Sequence, residues 1–171
     1  STALCLLNFL KSNNIKNLHS IGCGKGHYEK WIFNQLNKKI SISGIDLSKT
    51  AIKYAKTNLP EGNFYTSDAI HDIKNTQNKD IKITEQLFLI RELFWYLGKD
   101  WIKIINQIPI KSNIAIELSF YSNQKYQIEV FNGPEDFMNK MRKSIKNFIS
   151  VKSKVNKKGD YKIILIGEKY A

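Results

Sequence analysis

Cysteine, proline and arginine are scarce in this sequence, and long apolar runs are missing. The 171 residues include two cysteines, three prolines and two arginines. One cysteine, Cys23, stands between two glycines, which argues against a disulfide framework and predicts the reducing conditions of the cytoplasm. No apolar run reaches the roughly 18 residues of a membrane span. The early segment "ALCLLNFL" lacks the basic lead and cleavage site of a secretion signal, so we expect a cytoplasmic protein with no membrane partner.

Acidic residues are outnumbered by basic ones, which gives a formal net charge of +12. A basic chain is one signature of nucleic-acid binding. Lysine supplies nearly all of this charge, however, whereas arginine, whose planar fork grips two phosphate oxygens at once, occurs only at positions 91 and 142. The segment 140–158 stands out with eight basic residues and no acidic one. Three interpretations stay open for it: a nucleic-acid contact, a solvated face, or a field that attracts a small anion.

Short apolar runs alternate with helical patterns along the whole chain. The predicted strands are 18–21, 40–45, 63–66, 87–90, 113–120, 151–155 and 161–166. The predicted helices are 3–13, 26–37, 49–58, 92–97, 99–107 and 134–149, with a polar loop over 69–82. This alternation predicts an α/β fold, a mostly parallel sheet with helices on both faces, built as one domain over 1–171. Because a short turn joins the last two strands, we expect the sheet to end in an antiparallel hairpin.

The stretch "LHSIGCGKGHYEKW" places Gly22, Gly24 and Gly26 between a predicted strand and a predicted helix. Each glycine costs backbone entropy, so three at alternate positions indicate that something must lie against the backbone. A loop without Cβ atoms lets a ligand approach closely, and the following helix offers free N–H groups to an anion. In an α/β sheet this is the place where a nucleotide-like ligand binds.

Two carboxylates follow the next two predicted strands. Asp46 ends the second strand, where it can accept hydrogen bonds from a ribose diol. Asp68 follows the third strand, where it can accept from an adenine amino group. A structural interpretation stays open for each residue. Asp46 could cap the next helix, although Ser48 is better placed for that role, and Asp68 could be an ordinary loop residue.

The segment "SIGCGKGHYEKWI…ISGIDLSKTAIKYAKTNLPEGNFYTSDAI" resembles the class I S-adenosylmethionine-dependent methyltransferases. The later "LFLIRELFWYLGKDW" is similar to the fourth strand and following helix of that family. The resemblance implies a three-layer Rossmann-like sandwich with seven strands, the last of them antiparallel. It also implies S-adenosylmethionine as cofactor and S-adenosylhomocysteine as product. The cofactor-binding residues that it implies are Gly22, Cys23, Gly24, Gly26, Asp46, Leu47, Asp68, Ala69 and Arg91.

Several positions depart from the family pattern. Ser20 stands where the family usually has an acidic residue that helps to hold the methionine end of the cofactor. Gln86 opens the fourth strand where the family often has Asp, and "IKSNI" replaces a loop with Pro-Gly or Gly-Gly. His27 occupies the position at which the Gly-x-Gly-x-x-Gly fingerprint of dinucleotide-binding oxidoreductases needs glycine, which disfavours that class.

Candidate catalytic residues follow the fourth strand and the cofactor edge. Glu92 could accept a proton from the acceptor or anchor its hydroxyl group, Tyr96 stands where relatives often carry His, and His71 lies just past the cofactor edge. Structural interpretations stay open: Glu92 paired with Arg91 or Lys99, Tyr96 packed in its helix, and His71 exposed in a loop. No metal-ligand spacing of His, Cys or carboxylates is present, so no metal is expected.

The resemblance implies transfer of a methyl group from S-adenosylmethionine to an oxygen or nitrogen atom of an acceptor. We expect a small polar metabolite, such as a sugar or a precursor of surface polysaccharide, because no RNA-binding module is appended. An RNA methyltransferase that uses the segment 140–158 is the first alternative. A dinucleotide-binding or non-catalytic Rossmann-like protein is the second.

Overall fold

The computed structural model describes residues 1–73, 80–122, 127–156 and 158–171. Its helices are α1 (Thr2–Ser12), α2 (His27–Gln35), α3 (Lys49–Asn58), α4 (Ala69–Asp72), α5 (Phe94–Leu97), α6 (Trp101–Gln107), α7 (Gln127–Val130) and α8 (Gly133–Met141). Its strands are β1 (Asn17–Ile21), β2 (Ser41–Asp46), β3 (Asn63–Thr66), β4 (Gln86–Arg91), β5 (Asn113–Phe120), β6 (Ile145–Lys154) and β7 (Tyr161–Lys169).

The seven strands form one sheet in the order β3-β2-β1-β4-β5-β7-β6. The strands β1 to β5 pair in parallel, since helical connections return the chain to the same end of the sheet each time. β7 pairs antiparallel with both β5 and β6. The strand order runs outward in opposite directions from β1 and β4, so these two strands flank a topological switch point.

Helices cover both faces of this sheet. On one face, Phe88 of β4 belongs to a core cluster with Phe94 of α5 and with residues of α6 and α8. On the other face, Leu89 of β4 belongs to a cluster with Leu6 of α1, Ile32 of α2 and residues of α3. The apolar run of β4 is buried throughout because it faces both clusters. The predicted three-layer, mostly parallel, seven-stranded sandwich with a final antiparallel hairpin is confirmed.

The predicted helix over 134–149 is wrong in its second half. α8 is shorter, and the chain then forms β6, which starts well before the strand predicted over 151–155. The register of β6 shifts between Lys146 and Ile149, where Asn147 has a φ of 50°. This bulge interrupts the alternation that marks a strand in sequence. β6 is also an edge strand with mostly exposed side chains, so the apolar run of a buried strand is missing.

Two short segments also differ from their predictions. The segment 69–82, predicted as a loop, begins with α4, because Asp68 caps this helix by accepting a hydrogen bond from the N–H of Ile70. The helix predicted over 92–97 starts only at Phe94, since Glu92 has a φ of 55° that no right-handed helix contains.

Cys5 and Cys23 are both free thiols. Within the described ranges, no helix has the length and apolar character needed to cross a membrane.

Candidate functional site

The glycine loop begins at the topological switch point. Ile21 and Ile90 pair at the ends of β1 and β4, so the loop and the residues that follow β4 start side by side. The loop is tied to β2, because the N–H groups of Gly22 and Cys23 donate to the carbonyl of Ile45 at 2.8 and 2.9 Å. Ligands of open α/β sheets bind at such a point.

The three glycines of the loop do not all serve packing. Their φ angles are 75°, 55° and 72° in chain order, a region that favours glycine. A Cβ on Gly22 would lie 3.2 Å from Leu93, and one on Gly26 would lie 3.1 Å from the Cβ of Ala55 in α3. For Gly24, the part of the chain that the structure describes puts no atom within 4 Å of the Cβ position. Open space therefore lies beside the backbone of Gly24.

Cys23 contributes packing and not a reactive thiol. Its side chain is buried against β2, where a Cβ on Gly44 would lie 3.0 Å from its Sγ. Burial raises the pKa of the Cys23 thiol, and the nearby carboxylates of Glu29 and Asp46 raise it further. A thiol with a raised pKa is a poor nucleophile at neutral pH. Cys23 can thus meet a ligand at the loop through its backbone.

Asp46 ends β2 and fixes the shape of the glycine loop. Its Oδ2 accepts from the N–H of Gly24 at 2.9 Å, and its Oδ1 accepts from the N–H of Ser48 at 2.9 Å. Ser48 is the N-cap of α3 and accepts from the N–H of Ala51, so Asp46 is not the helix cap. Each carboxylate oxygen has a second lone pair, which leaves Asp46 able to accept from a diol. The neighbouring Leu47 is 70% exposed.

Asp68 follows β3 beside this carboxylate. β2 and β3 end in register, and the N–H of Ser67 donates to the carbonyl of Asp46 at 3.1 Å. The Oδ1 of Asp68 accepts from the N–H of Ile70 at 2.9 Å, which makes Asp68 the N-cap of α4 and Ala69 its first residue. Asp68 is therefore a helix cap at the sheet edge and not an ordinary loop residue.

Arg91 ends β4 and turns toward α2. Its Nε donates to Oε1 of Glu117 at 2.9 Å, and its Cζ lies 3.6 Å from the centre of the Tyr28 ring. Glu117 is buried, whereas the Arg91 side chain keeps 28% of its surface exposed. Because this ion pair uses Nε, both terminal nitrogens of the guanidinium lie outside it. Such a fork suits a carboxylate or phosphate group.

Glu92 is held by β5 and β7. Its φ of 55° is uncommon for a residue other than glycine, and such conformations cluster at functional sites. Its carboxylate accepts from the backbone N–H of Ser119 at 2.9 Å and from the hydroxyl of the same residue. The Nζ of Lys162 lies 4.0 Å from its Oε1. For the residues that the structure describes, the interpretation that pairs Glu92 with Arg91 or Lys99 is wrong.

The other two catalytic candidates have less support. Tyr96 lies in α5 and is 86% exposed, so the interpretation as a residue packed in its helix is wrong. His71 belongs to α4, and its side chain lies outside the described residues. Over the described ranges, no group of three or more His, Cys, Asp or Glu residues is arranged to hold a metal ion.

Sequence reasoning missed a buried polar group at the base of the glycine loop. The Oγ of Ser20 donates to Oε1 of Glu29 at 2.6 Å, and these residues are 3% and 2% exposed. Burial raises the pKa of the Glu29 carboxyl. One signal was available: Glu29 lies in the first turn of the helix after the loop, and Ser20 occupies a position that is acidic in the similar family.

A second missed group lies at the ends of β4, β5 and β7. The Nζ of Lys162 lies 3.6 Å from Oε1 of Glu117 and 4.0 Å from Oε1 of Glu92. Neighbouring charges therefore alternate in sign along the series Arg91, Glu117, Lys162, Glu92. The signal for Glu117 was a charged residue inside the apolar strand "NIAIELSF". Lys162 carried no signal, because only the antiparallel pairing of β7 brings it to this edge.

Comparison with known proteins gives structural relatives only. No family model matches the sequence, and no curated protein matches it in sequence. The methyltransferase domain of bacterial CtHen1-C matches with a TM-score of 0.72 at 15% identity, over 99% of this chain and 97% of that chain. The N-methyltransferase NodS from Bradyrhizobium japonicum matches with a TM-score of 0.65 at 14% identity, over 99% and 94% of the two chains.

A third match was solved with a cofactor. Phosphoethanolamine N-methyltransferase 2 of Haemonchus contortus, in complex with S-adenosyl-L-methionine, matches with a TM-score of 0.70 at 9% identity. The match covers 99% of this chain and 52% of the Haemonchus protein, so the chain spans about half of that relative.

These matches define the class of the fold. The chain has the Rossmann-like fold of the class I S-adenosylmethionine-dependent methyltransferases, with β7 antiparallel between β5 and β6. The structure aligns with 97% of the methyltransferase domain of CtHen1-C. The resemblance seen in the sequence is thereby confirmed at the level of the fold.

Proposed function

We propose that this protein binds S-adenosylmethionine against the glycine loop and transfers its methyl group to an oxygen or nitrogen atom of a small polar acceptor. The observation that carries the proposal is the open backbone at Gly24, held by Asp46 at the switch point of a methyltransferase fold. A cradle that a Cβ would fill, beside a carboxylate with free lone pairs, fits a nucleoside that carries an amino-acid arm.

The residues after β2 and β3 would hold the nucleoside. Asp46 would accept from the ribose hydroxyl groups while it keeps its bond to the loop, and the exposed Leu47 would cover one side of the base. Asp68 and Ala69, at the start of α4, would meet the adenine edge. The neighbouring ends of β2 and β3 supply both parts of this surface.

The residues after β1 and β4 would hold the amino-acid arm. The arm would run along the backbone of Gly22, Cys23 and Gly24, while Gly26 keeps α2 close to α3. Arg91 would offer its terminal nitrogens to the carboxylate of the arm. The ring of Tyr28 and the ion pair with Glu117 fix the position of the Arg91 guanidinium.

When bound, S-adenosylmethionine supplies a methyl group on a positively charged sulfur, already activated for in-line displacement. The work left to the protein is to align the acceptor and exclude water, which can lower the barrier by several kcal/mol. Glu92 is the residue we assign to the acceptor. Ser119 fixes the carboxylate of Glu92, and the remaining lone pairs of that carboxylate can accept from a hydroxyl or amino group.

Two observations support a small acceptor over an RNA. The lysines of the segment 140–158 that lie on β6 are divided between the two faces of that strand, since Lys146 pairs with Glu168 and Lys152 pairs with Ile163. Residues an odd number of positions apart on the regular strand β7 face opposite sides. The candidate acceptor edge at Glu92 also carries as many carboxylates as cations, which does not favour a polyanion.

Isothermal calorimetry with S-adenosylmethionine, S-adenosylhomocysteine and NAD tests the cofactor. We expect both adenosyl ligands to bind and NAD to bind poorly. Asp46→Ala should weaken the adenosyl ligands about ten- to hundredfold, the worth of a hydrogen bond to a charged group. Asp100→Ala removes an exposed carboxylate paired with Lys103 and should change nothing. Tighter binding of NAD than of S-adenosylmethionine would overturn the proposal.

A thermal-shift screen of candidate acceptors, with S-adenosylhomocysteine present, tests the acceptor. A ligand of the folded state raises the unfolding temperature. For an acceptor found in this way, Glu92→Gln should slow methyl transfer and raise KM. Tyr96→Phe removes only the hydroxyl group of the exposed tyrosine and tests whether that hydroxyl takes part in the reaction. Transfer by Glu92→Gln at the parent rate would remove Glu92 from the site.

A further inference from the structure

A buried carboxylate with one unused oxygen lies outside the residues assigned so far. Glu29 is 2% exposed and lies in the first turn of α2. Its Oε1 accepts from Ser20, whereas its Oε2 is buried and has no hydrogen-bond partner among the described residues. A buried carboxylate oxygen that accepts no hydrogen bond is costly, so its presence calls for a functional explanation.

Two relations place this carboxylate at the ligand's path. Ser20, its hydrogen-bond partner, lies on β1 just before the glycine loop. The charges of Glu29 and Asp46 both raise the pKa of the Cys23 thiol, so both carboxylates lie near this loop residue. Asp46 contacts the loop from β2 through the N–H of Gly24, and Glu29 lies in the first turn of α2, the helix that follows the loop.

We infer that Glu29 holds the ammonium group of the amino-acid arm of the bound cofactor. This inference rests on the proposed function and adds a residue that the sequence did not single out. Ser20 orients the carboxylate through Oε1, which leaves Oε2 for an N–H donor. The charge of Arg91 also acts on Glu29, although Arg91 is paired with Glu117. Arg91 and Glu29 would thus match the opposite charges of an α-amino acid.

The arrangement explains how this chain manages with Ser20. Position 20 of β1 carries a serine and no carboxylate. Glu29 of α2 supplies the carboxylate, and the hydroxyl of Ser20 holds it in place. A purely structural role for Glu29 predicts a different result, because the carboxylate would then stabilise the fold equally with or without ligand. The two roles separate when the ligand loses its amino-acid arm.

The test compares two ligands by calorimetry, S-adenosylhomocysteine and methylthioadenosine, which lacks the amino-acid arm. Glu29→Gln keeps the size of the side chain and removes the charge. We expect its affinity for S-adenosylhomocysteine to fall about ten- to hundredfold, while that for methylthioadenosine stays within about twofold of the parent. Thermal unfolding of the variant shows whether it is folded.

A rescue variant and a second ligand pair make the outcome decisive. In the Glu29→Gln background, Ser20→Asp places a carboxylate on the strand and should restore part of the affinity for S-adenosylhomocysteine. If Glu29→Gln does not fold, the test uses the parent protein. Its affinity for S-adenosylhomocysteine should be about tenfold or more higher than its affinity for the analogue of this ligand that lacks the amino group. Equal losses for both ligands, or no loss, would overturn the role of Glu29. A parent that binds neither adenosyl ligand would instead overturn the proposed function, and this inference with it.

Discussion

At the scale of single residues, Gly24 and Gly26 form a matched pair. Both have positive φ, so an alanine at either position adds roughly 1–2 kcal/mol of backbone strain. At Gly26 the new Cβ also meets Ala55, at 3.1 Å from its Cβ and 3.2 Å from its Cα, whereas at Gly24 it enters open space. We expect Gly26→Ala to lose more unfolding free energy, and Gly24→Ala to lose ligand affinity instead. Urea unfolding and calorimetry with S-adenosylhomocysteine measure the two quantities on the same samples. Parent-like binding by Gly24→Ala would show that the ligand does not use the cradle.

His19 makes the stability of the protein depend on pH. The ring is buried in β1, where its Nδ1 lies 2.7 Å from the hydroxyl of Ser43 and its Nε2 has no hydrogen-bond partner in the described ranges. Burial lowers the pKa of His19 from 6.5 to about 4. Between these values the unfolded chain binds more protons than the folded one, so stability is complete above pH 6.5 and falls as the pH drops toward 4.

The expected loss between pH 7.5 and pH 5 is about 2 kcal/mol, because each pKa unit corresponds to roughly 1.4 kcal/mol. Urea unfolding at the two pH values measures it. His19→Asn retains a polar partner for Ser43 but does not titrate, so its stability should change less over this interval. The comparison uses the pH-dependent difference and is independent of the cavity that the smaller side chain leaves. An equally steep loss in His19→Asn would assign the pH dependence to other groups.

At the scale of elements, Gly167 permits the bulge of β6. A Cβ at this position of β7 would lie 2.6 Å from Cγ2 of Ile145 and 2.8 Å from the carbonyl oxygen of Lys146. Backbone cannot yield as a flexible side chain does, so Gly167→Ala should destabilise the protein by about 1–3 kcal/mol. Ser150→Ala, a change at an exposed position of the neighbouring strand β6, should stay close to the parent. Urea unfolding checks both variants, and parent-like stability of Gly167→Ala would mean that the bulge can move.

Elements with local signals were predictable from the sequence. The strands Asn63–Thr66 and Asn113–Phe120 and the helix that Ser48 caps have the predicted bounds, because an apolar run or a cap marks each of them. β6 was not predictable over its full length, since a bulge and an exposed edge both hide the period of a strand.

The residues of the candidate site also differ in how far the sequence predicts them. The glycine loop and Asp46 could be predicted, because both lie where a strand meets the next helix. Lys162 could not be identified from the sequence, since only the pairing of β7 brings it to the ends of β4 and β5. Glu29 had one signal, its place in the first turn of α2, but its bond to Ser20 follows only from the packing of α2. The roles of the residues toward a cofactor and an acceptor stay predictions.

At the scale of the whole molecule, the net charge of +12 comes from lysines that are spread along the sequence. Lys146 lies on the α1 face of β6, and Lys152 and Lys154 lie on the other. We expect weak RNA binding that is lost by physiological salt, with a log–log slope near −1.4 for two phosphates neutralised on one face. Filter binding of single-stranded RNA at several salt concentrations measures this slope.

Matched variants identify the surface that any RNA uses. Lys152→Gln with Lys154→Gln changes one face of β6, and Lys53→Gln with Lys56→Gln changes exposed lysines of α3 by the same total charge. Equal effects of the two pairs would fit binding by net charge alone. Tight binding at physiological salt, with methyl transfer to one RNA position that depends on Lys152 and Lys154, would contradict the small-acceptor assignment.

The placement of β7 also governs the order in which the fold can assemble during synthesis. β5 and β6 both leave the ribosome before β7, yet neither pairs with the other, and each has β7 as its neighbour in the sheet. Until residues 161–169 emerge, the nascent chain has an open edge at β5 and no place for β6. The half of the sheet that carries the glycine loop can form first, because β1 to β4 pair without β7. The edge that holds Glu92 and Lys162 is therefore completed last, and a ribosome that stalls before β7 leaves a chain with an exposed strand that chaperones must shield.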